Sequence, residues 1–300
     1  MGYITMSEFA SSGGLCSQLQ IYASLLAVAK ANNLEVVFSN EMIENHANSS
    51  IPDVIKVEVF NLLDLKCNLK PHNFFKNFEH KHINFHTTKR DESLFNLDSS
   101  KNYDLKGRFD LYTYWYNDIK KEVESWKYKE NLQIQATERI EKVKSKLGDK
   151  PTVSIHLRRG DYLLPKYSNA FCRLDNNYYL KAIKDNFQPI KDYNFIIFSN
   201  DIEYCKKIFT GDNIWYVEPK INPSDNVEKV WTDSEKEDLA LMSLCDHHII
   251  ANSSYSWWGA FLCKNKNKKI ICPTNYLKST HTSSWINGNW YPPNWININN

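Results

Sequence analysis

From residue 152 to residue 273 short apolar runs alternate with stretches of helical period, and this alternation limits the fold more than any other feature of the 300-residue chain. "TVSIHL" is strand-like, "NNYYLKAIKDNF" is helical, "NFIIFS" is a continuous apolar strand, and "NDIEYCKKIF" is a helix that Asn200 or Asp201 can cap. "NIWYVE" is a further strand. "SEKEDLALMSLCDH" is a helix with Ser234 and Glu237 at capping-box spacing, and "HIIAN", "SSYSWWGAFLCK" and "KKIICP" continue as strand, helix and strand. Strands separated by helices predict a parallel sheet with right-handed crossovers, so the second half is expected to be a doubly wound α/β domain.

Upstream, "NLQIQATERIEKVKSKLGDKP" is an amphipathic helix ended by Gly148 and Pro151, which places the expected domain boundary between 148 and 149. Near the start, "LQIYASLLAVAKANN" is a helix followed by the strand-like "LEVVFS". "SSGGLCSQ" sets two glycines before that helix, where backbone N–H groups can meet an anion. Between 40 and 115 the periodicity is poor and predicts no definite elements.

Composition narrows the function. Thirty-seven basic against thirty-five acidic side chains, with no basic run along a helix, disfavour a nucleic-acid partner. No stretch reaches the roughly 18 to 20 apolar residues of a membrane span, and the first thirty residues lack a signal-peptide pattern, so a soluble, cytoplasmic protein is expected. Seven cysteines without a CxxC pair read as buried free thiols. In "HKHINFH", His80, His82 and His86 lack a supporting cysteine or carboxylate cluster and are expected in a solvated loop. Nine Trp and seventeen Tyr suit stacking against bases or sugar faces, although most aromatics pack cores.

Three loops leave the carboxyl ends of the expected strands: "HLRRGDY", "SNDIE" and "NSSYSWW". In an open parallel sheet all three fall on one edge, where ligands bind. Arg158 and Arg159 carry planar forks suited to phosphate oxygens, and Ser253, Ser254 and Ser256 open a helix whose N–H groups favour the same anion. Taken singly, the arginines read as a surface ion-pair cluster, Trp257 and Trp258 as packing, Asp201 as a cap, and Asp238 as dipole compensation. Their convergence points to a diphosphate site. There is no P-loop and no GxGxxG, and no Asp-x-Asp or Asp-Asp pair to hold a divalent metal across a diphosphate. The residues alone therefore indicate metal-independent binding of a nucleotide or other phosphorylated ligand.

At these same residues the sequence resembles the α-1,2-fucosyltransferases, glycosyltransferase family 11. "GGLCSQLQIYA", "HLRRGDY" and "DLALMSLCDHHIIANSSYSWWGAFL" match its three blocks in order, with "FSND" between the last two. The resemblance implies a GT-B-like α/β fold, with two Rossmann-like domains facing a cleft and a parallel sheet in the C-terminal domain. Residues 1–148 would be the acceptor-side domain and 149–300 the GDP-sugar-binding domain with a C-terminal tail. It implies inverting transfer of L-fucose from GDP-fucose to the 2-hydroxyl of a galactose, on an oligosaccharide or lipid-linked glycan, with no cofactor or metal. Bacterial surface-glycan synthesis, with peripheral contact at the inner membrane face, would be the setting.

Carried over by position, Arg158 would meet the β-phosphate with Arg159 in support, and His156 would lie against the guanine. Asp238 would read the guanine edge, and Asn252, Ser253 and Ser254 would hold the phosphates. Gly14, Ser17 and Gln18 would form the donor-side loop. Cys16 and Ser17 stand where the family's GGLGNQ pattern has Gly and Asn, which leaves a different GDP-deoxysugar donor, or a non-catalytic GDP-sugar or glycan binder, as alternatives. Asp161 is the nearest candidate for the general base, and Glu8 is another.

Overall fold

Two α/β units make up the chain: Met1–Lys127 with Asn287–Trp290, and Tyr128–Ile286 with Tyr291–Asn300. The computed structural model describes residues 1–11, 13–47, 57–84, 89–109, 111–165, 171–218, 234–278 and 290–300. The division falls between Lys127 and Tyr128 rather than at 148/149, because the helix that precedes the second sheet packs with the second unit.

In the first unit the described elements run β1 (Tyr3–Thr5), α1 (Leu15–Ala31), β2 (Glu35–Val36), β3 (Phe38–Ser39), α2 (Asn40–Ala47), α3 (Val59–Leu62), β4 (Leu69–Lys70), β5 (Glu79–His82), β6 (Tyr103–Lys106) and α4 (Tyr116–Ser125). The main sheet has the order β2-β1-β6-β5 and is parallel throughout. "LEVVFS" is split between two sheets: β2 pairs with β1, and after Val37 the chain turns so that β3 pairs with β4. α1 is buried nearly all round, polar residues included. Gln20 Nε2 donates to Leu111 O at 2.7 Å and its Oε1 accepts from Trp115 Nε1 at 3.1 Å, which satisfies the amide inside the core. His80 and His82 are not in a loop but on the edge strand β5, and His86 lies outside the described residues. β5 reads "EHKH"; an edge strand with polar side chains carries no apolar alternation to betray it.

The second unit continues with α5 (Glu130–Leu147), β7 (Thr152–Leu157), α6 (Asn176–Asn186), β8 (Asn194–Ser199), α7 (Ile202–Ile208), β9 (Ile214–Tyr216), α8 (Ser234–Ser243), β10 (His247–Ile249), α9 (Ser254–Leu262), β11 (Ile270–Pro273) and β12 (Ile296–Ile298). Its parallel sheet has the order β12-β11-β10-β7-β8-β9. The chain steps outward from β7 to β8 and β9, then returns to β10 on the other side of β7. The strand order therefore reverses at β7, and the loops after β7 and β10 part to leave a crevice at their carboxyl ends. Ile155, Ile197, Ile249 and Ile271, from four neighbouring strands, are wholly buried in the core beneath. At Gly259 a Cβ would stand 2.5 Å from Met242 Sδ, so α9 and α8 approach closely at this point. All seven cysteines are free thiols, and no described helix is long and apolar enough to cross a membrane.

Candidate active site

β7 carries the central segment of the site, and its surroundings explain its residues. All six are buried, because the strand lies between β8 and β10 in a sheet covered on both faces. Val153, Ile155 and Leu157 supply one face; Thr152, Ser154 and His156 alternate with them. Thr152 N and Oγ1 donate to Asp246 Oδ2 at 2.8 and 2.9 Å, and Ser154 Oγ pairs with His248 Nδ1 at 2.8 Å. His156 breaks this series. Its Nδ1 is buried without a protein partner, and the residue lines a pocket. Burial, with the Arg158 guanidinium acting in the same direction, pulls His156 down to about 3, so the imidazole is neutral at neutral pH.

The pocket is assembled from strand ends and helix starts. β7 contributes His156 and then Arg158; β8 contributes Phe198 and Ser199, followed by Asn200; Val217 follows β9. Ser234, Glu235 and Asp238 line it from the first turns of α8, and Tyr255 from the first turn of α9, its ring centroid 5.4 Å from that of His156. Arg158 and the two helix N-termini can receive an anion, while Glu235 and Asp238 set two carboxylates in the same lining. Arg158 also lies 5.8 Å from the centroid of the Tyr162 ring, and Tyr162 in turn donates to Asn252 O at 3.0 Å.

Of the residues singled out from sequence, His156, Arg158 and Asp238 line this pocket. Arg159 is drawn elsewhere. Its Nε donates to Asp201 Oδ2 at 2.9 Å, its guanidinium carbon sits 3.4 Å from the centroid of the Tyr204 ring, and its N–H donates to Asn200 Oδ1 at 3.0 Å. Asn252 is committed to scaffolding: its Nδ2 donates to the carbonyls of Cys172 and Tyr276, each at 2.8 Å. Ser253 caps α9, accepting from Tyr255 N at 3.3 Å, and Ser254 is the first helical residue; neither lines the pocket itself. Asp161 lies in the turn Gly160–Leu163, and its side chain is outside the described residues.

Gly14, Ser17 and Gln18 belong to the first unit, at the start of α1. Gly14 is the N-cap, and Gln18 N donates to Gly14 O at 3.0 Å. Gln18 is wholly buried; its Nε2 donates to Gly13 O at 3.3 Å and its Oε1 accepts from Glu58 N at 3.1 Å, so the amide braces the glycine loop. Cys16 is buried and Ser17 is half-buried. Glu8 is half exposed, with a carboxylate oxygen 3.9 Å from Lys106 Nζ.

Tyr255, Glu235 and Arg139 are among the residues of the pocket region that carry no site expectation from sequence. Tyr255 lies inside the quoted "SSYSWW" block, and Glu235 precedes Asp238 by one helical turn, which places both carboxylates on one face. Arg139 donates to Asp238 Oδ1 at 2.7 Å from a helix outside every motif, and no sequence signal marks it. Among the described residues no group of three or more His, Cys, Asp or Glu is placed to hold a metal ion.

This fold is GT-B-like, the class shared by solved fucosyltransferases. The Bradyrhizobium fucosyltransferase NodZ superposes with a TM-score of 0.54 at 11% identity, covering 86% of this chain and 91% of NodZ. Arabidopsis thaliana FUT1, in a complex with GDP, gives 0.52 at 10% identity over 90% and 70% of the two chains. Residues 4–299 match Glycosyl transferase family 11, and the chain belongs to that family. The Escherichia coli O-antigen biosynthesis glycosyltransferase WbnK is 34% identical over 142 residues, 45% of this chain and 44% of WbnK. An Escherichia coli α-1,2-colitosyltransferase is 34% identical over 151 residues, 49% and 47% of the two chains. A Caenorhabditis elegans galactoside 2-α-L-fucosyltransferase is 24% identical over 233 residues, 69% and 56%. The chain thus spans about half the length of the curated relatives it matches.

Proposed function

We propose that the chain is a glycosyltransferase that moves L-fucose from GDP-fucose to the 2-hydroxyl of a galactose, with inversion at the anomeric carbon and without a metal. The observation that carries this reading is the strand-end pocket that joins Arg158, the neutral His156 and Asp238 at the reversal of strand order. Membership of family 11 and the name of the nematode relative support the donor and the linkage.

In this reading the second unit takes the GDP-sugar and the first serves the acceptor. The acceptor hydroxyl attacks the anomeric carbon, and GDP departs. Arg158 and the N-terminal end of α9 are fixed before the bond breaks, so they stabilise the charge that develops on the leaving diphosphate without reorganising. Asp161 is the candidate that accepts the hydroxyl proton, and Asp161→Asn tests it by its effect on transfer against GDP binding. The acceptor is a galactose-ended glycan, free or lipid-linked, of a bacterial cell surface, met from the cytoplasmic side.

The experiment is GDP release from GDP-fucose with and without lactose, EDTA present throughout. Acceptor-dependent, chelator-resistant release is expected; stabilisation by GDP with no release under any acceptor overturns transfer in favour of a binder. The colitosyltransferase relative favours a second reading in which the donor carries another deoxysugar, and a GDP-colitose arm in the same assay decides between the two.

A further inference from the structure

Arg139, on α5, donates from Nη1 to Asp238 Oδ1 at 2.7 Å, so a helix that contributes nothing else to the pocket controls one of its carboxylates. The two side chains are 29% and 18% exposed. We propose that Arg139 is a positioning residue for nucleobase recognition, orienting the Asp238 carboxylate to accept two parallel hydrogen bonds from a guanine edge. The assignment rests on the reading of the pocket as a GDP-sugar site.

Geometry and energetics both favour this over a simple brace between helices. The terminal torsion of an aspartate is broad and nearly two-fold, so a carboxylate without a fixed partner samples many planes. A charge-assisted bond from Arg139 Nη1 to Oδ1 narrows that freedom. A carboxylate has about four lone-pair sites, and the bond from Arg139 engages Asp238 through Oδ1, while Asp238 also lines the pocket. Guanine presents N1–H and N2–H₂ side by side along one edge, whereas adenine presents one donor beside an acceptor and uracil a single N–H. A carboxylate held in one plane accepts both guanine donors and meets the other bases with an unmatched polar group, which is costly away from water.

Packing between α5 and α8 does not need the ion pair. Leu132, Ala136, Ile140 and Val143 already bury one face of α5, and a partly exposed ion pair adds little to stability. The bond therefore has more effect on where the Asp238 oxygens point than on whether the helices associate.

Calorimetric titration of the intact protein with GDP, inosine diphosphate, UDP and pyrophosphate tests the proposal, since inosine diphosphate lacks only the N2 amino group. In wild type, GDP should bind more tightly than inosine diphosphate or UDP. Arg139→Met should weaken GDP on the order of tenfold, the size of one charge-assisted bond, and bring GDP and inosine diphosphate close together. Pyrophosphate affinity and Tm should stay near wild type. With GDP-fucose as donor, the KM should rise while kcat changes little, and Arg139→Lys should recover part of the discrimination. An unchanged ratio of GDP to inosine diphosphate in Arg139→Met overturns the assignment, as does a matched loss of GDP and pyrophosphate with a fall in Tm. A wild type without preference for GDP over UDP overturns the nucleotide reading itself, and this assignment with it.

Discussion

Arg158 and Arg159 are neighbours in sequence with opposite surroundings: Arg158 lines the strand-end pocket, while Arg159 stacks on Tyr204 and bonds Asp201. Successive residues leaving a strand point to opposite sides, so one arginine faces the ligand edge and the other ties the β7 loop to the start of α7.

The two arginines should therefore fail differently. Arg158→Ala should fold normally and lose on the order of 10²- to 10³-fold in turnover, as for loss of a group that stabilises developing charge. Arg159→Ala gives up a charged hydrogen bond and a cation–π contact, and should lower unfolding free energy by roughly 1.5–3 kcal/mol. Denaturant unfolding beside steady-state kinetics separates them; an Arg158→Ala variant that keeps near-wild-type transfer removes the leaving-group role.

Gly160 is the next sensitive position. A Cβ there would fall 2.2 Å from Asn200 Nδ2 and 3.0 Å from Asn200 Cγ, and Asn200 Oδ1 is the acceptor for Arg159 N–H. Gly160→Ala forces the Asn200 side chain to shift, which strains that bond and the loop that bears Arg158. Turnover should drop at least tenfold, with a stability loss of about 1–3 kcal/mol. A variant with wild-type kinetics would show that Asn200 does not hold this loop.

Stability should depend on pH through the buried histidines. His156 is lowered to about 3 by burial and then by Arg158, and burial foremost, with Lys268 and His247, pulls His248 well below its usual value. The unfolded chain takes up these protons near pH 6.5 and the folded chain does not. The contribution of His156 is therefore intact above about 6.5 and lost progressively as pH falls toward about 3, by about 1.4 kcal/mol per pH unit, and that of His248 is lost in the same direction as pH falls below about 6.5. Between pH 6.5 and 5 the carboxylates contribute little, so unfolding curves in that window should show the slope. His156→Gln should flatten it by one proton, and an unaltered slope would contradict a neutral buried His156.

In the glycine loop the first glycine matters more. Gly13 has φ +137°, and a Cβ on it would meet Ser17 Cβ at 2.7 Å, whereas Gly14 has φ −68° as the N-cap of α1. Gly13→Ala should cost more than 1 kcal/mol, and Gly14→Ala less than Gly13→Ala. Thermal melts of the two variants check the order; the reverse order would mean that the α1 entry is not set by Gly13.

Much of the second unit was legible from residue order alone, because β8 and β11 are continuous apolar runs and the helices between the strands carry a clear period. β7 alternated in sequence yet is buried on both sides, since its polar residues find partners on β10 and beyond: Ser154 on His248, Thr152 on Asp246. The first unit was hardly legible. β1 has three residues, β2 two, and β5 is polar, too short or too hydrophilic for periodicity to register.

Sequence by itself determined that strands and helices alternate, that three loops share one sheet edge, and that arginines and a serine-capped helix gather there, because each of these follows from local pattern and from the direction of parallel strands. Only the tertiary structure decided which arginine faces the pocket, that Asn252 braces loops through its amide, and that Arg139 reaches Asp238. Those outcomes depend on the contacts each side chain makes with residues distant in the chain, and no local period encodes them.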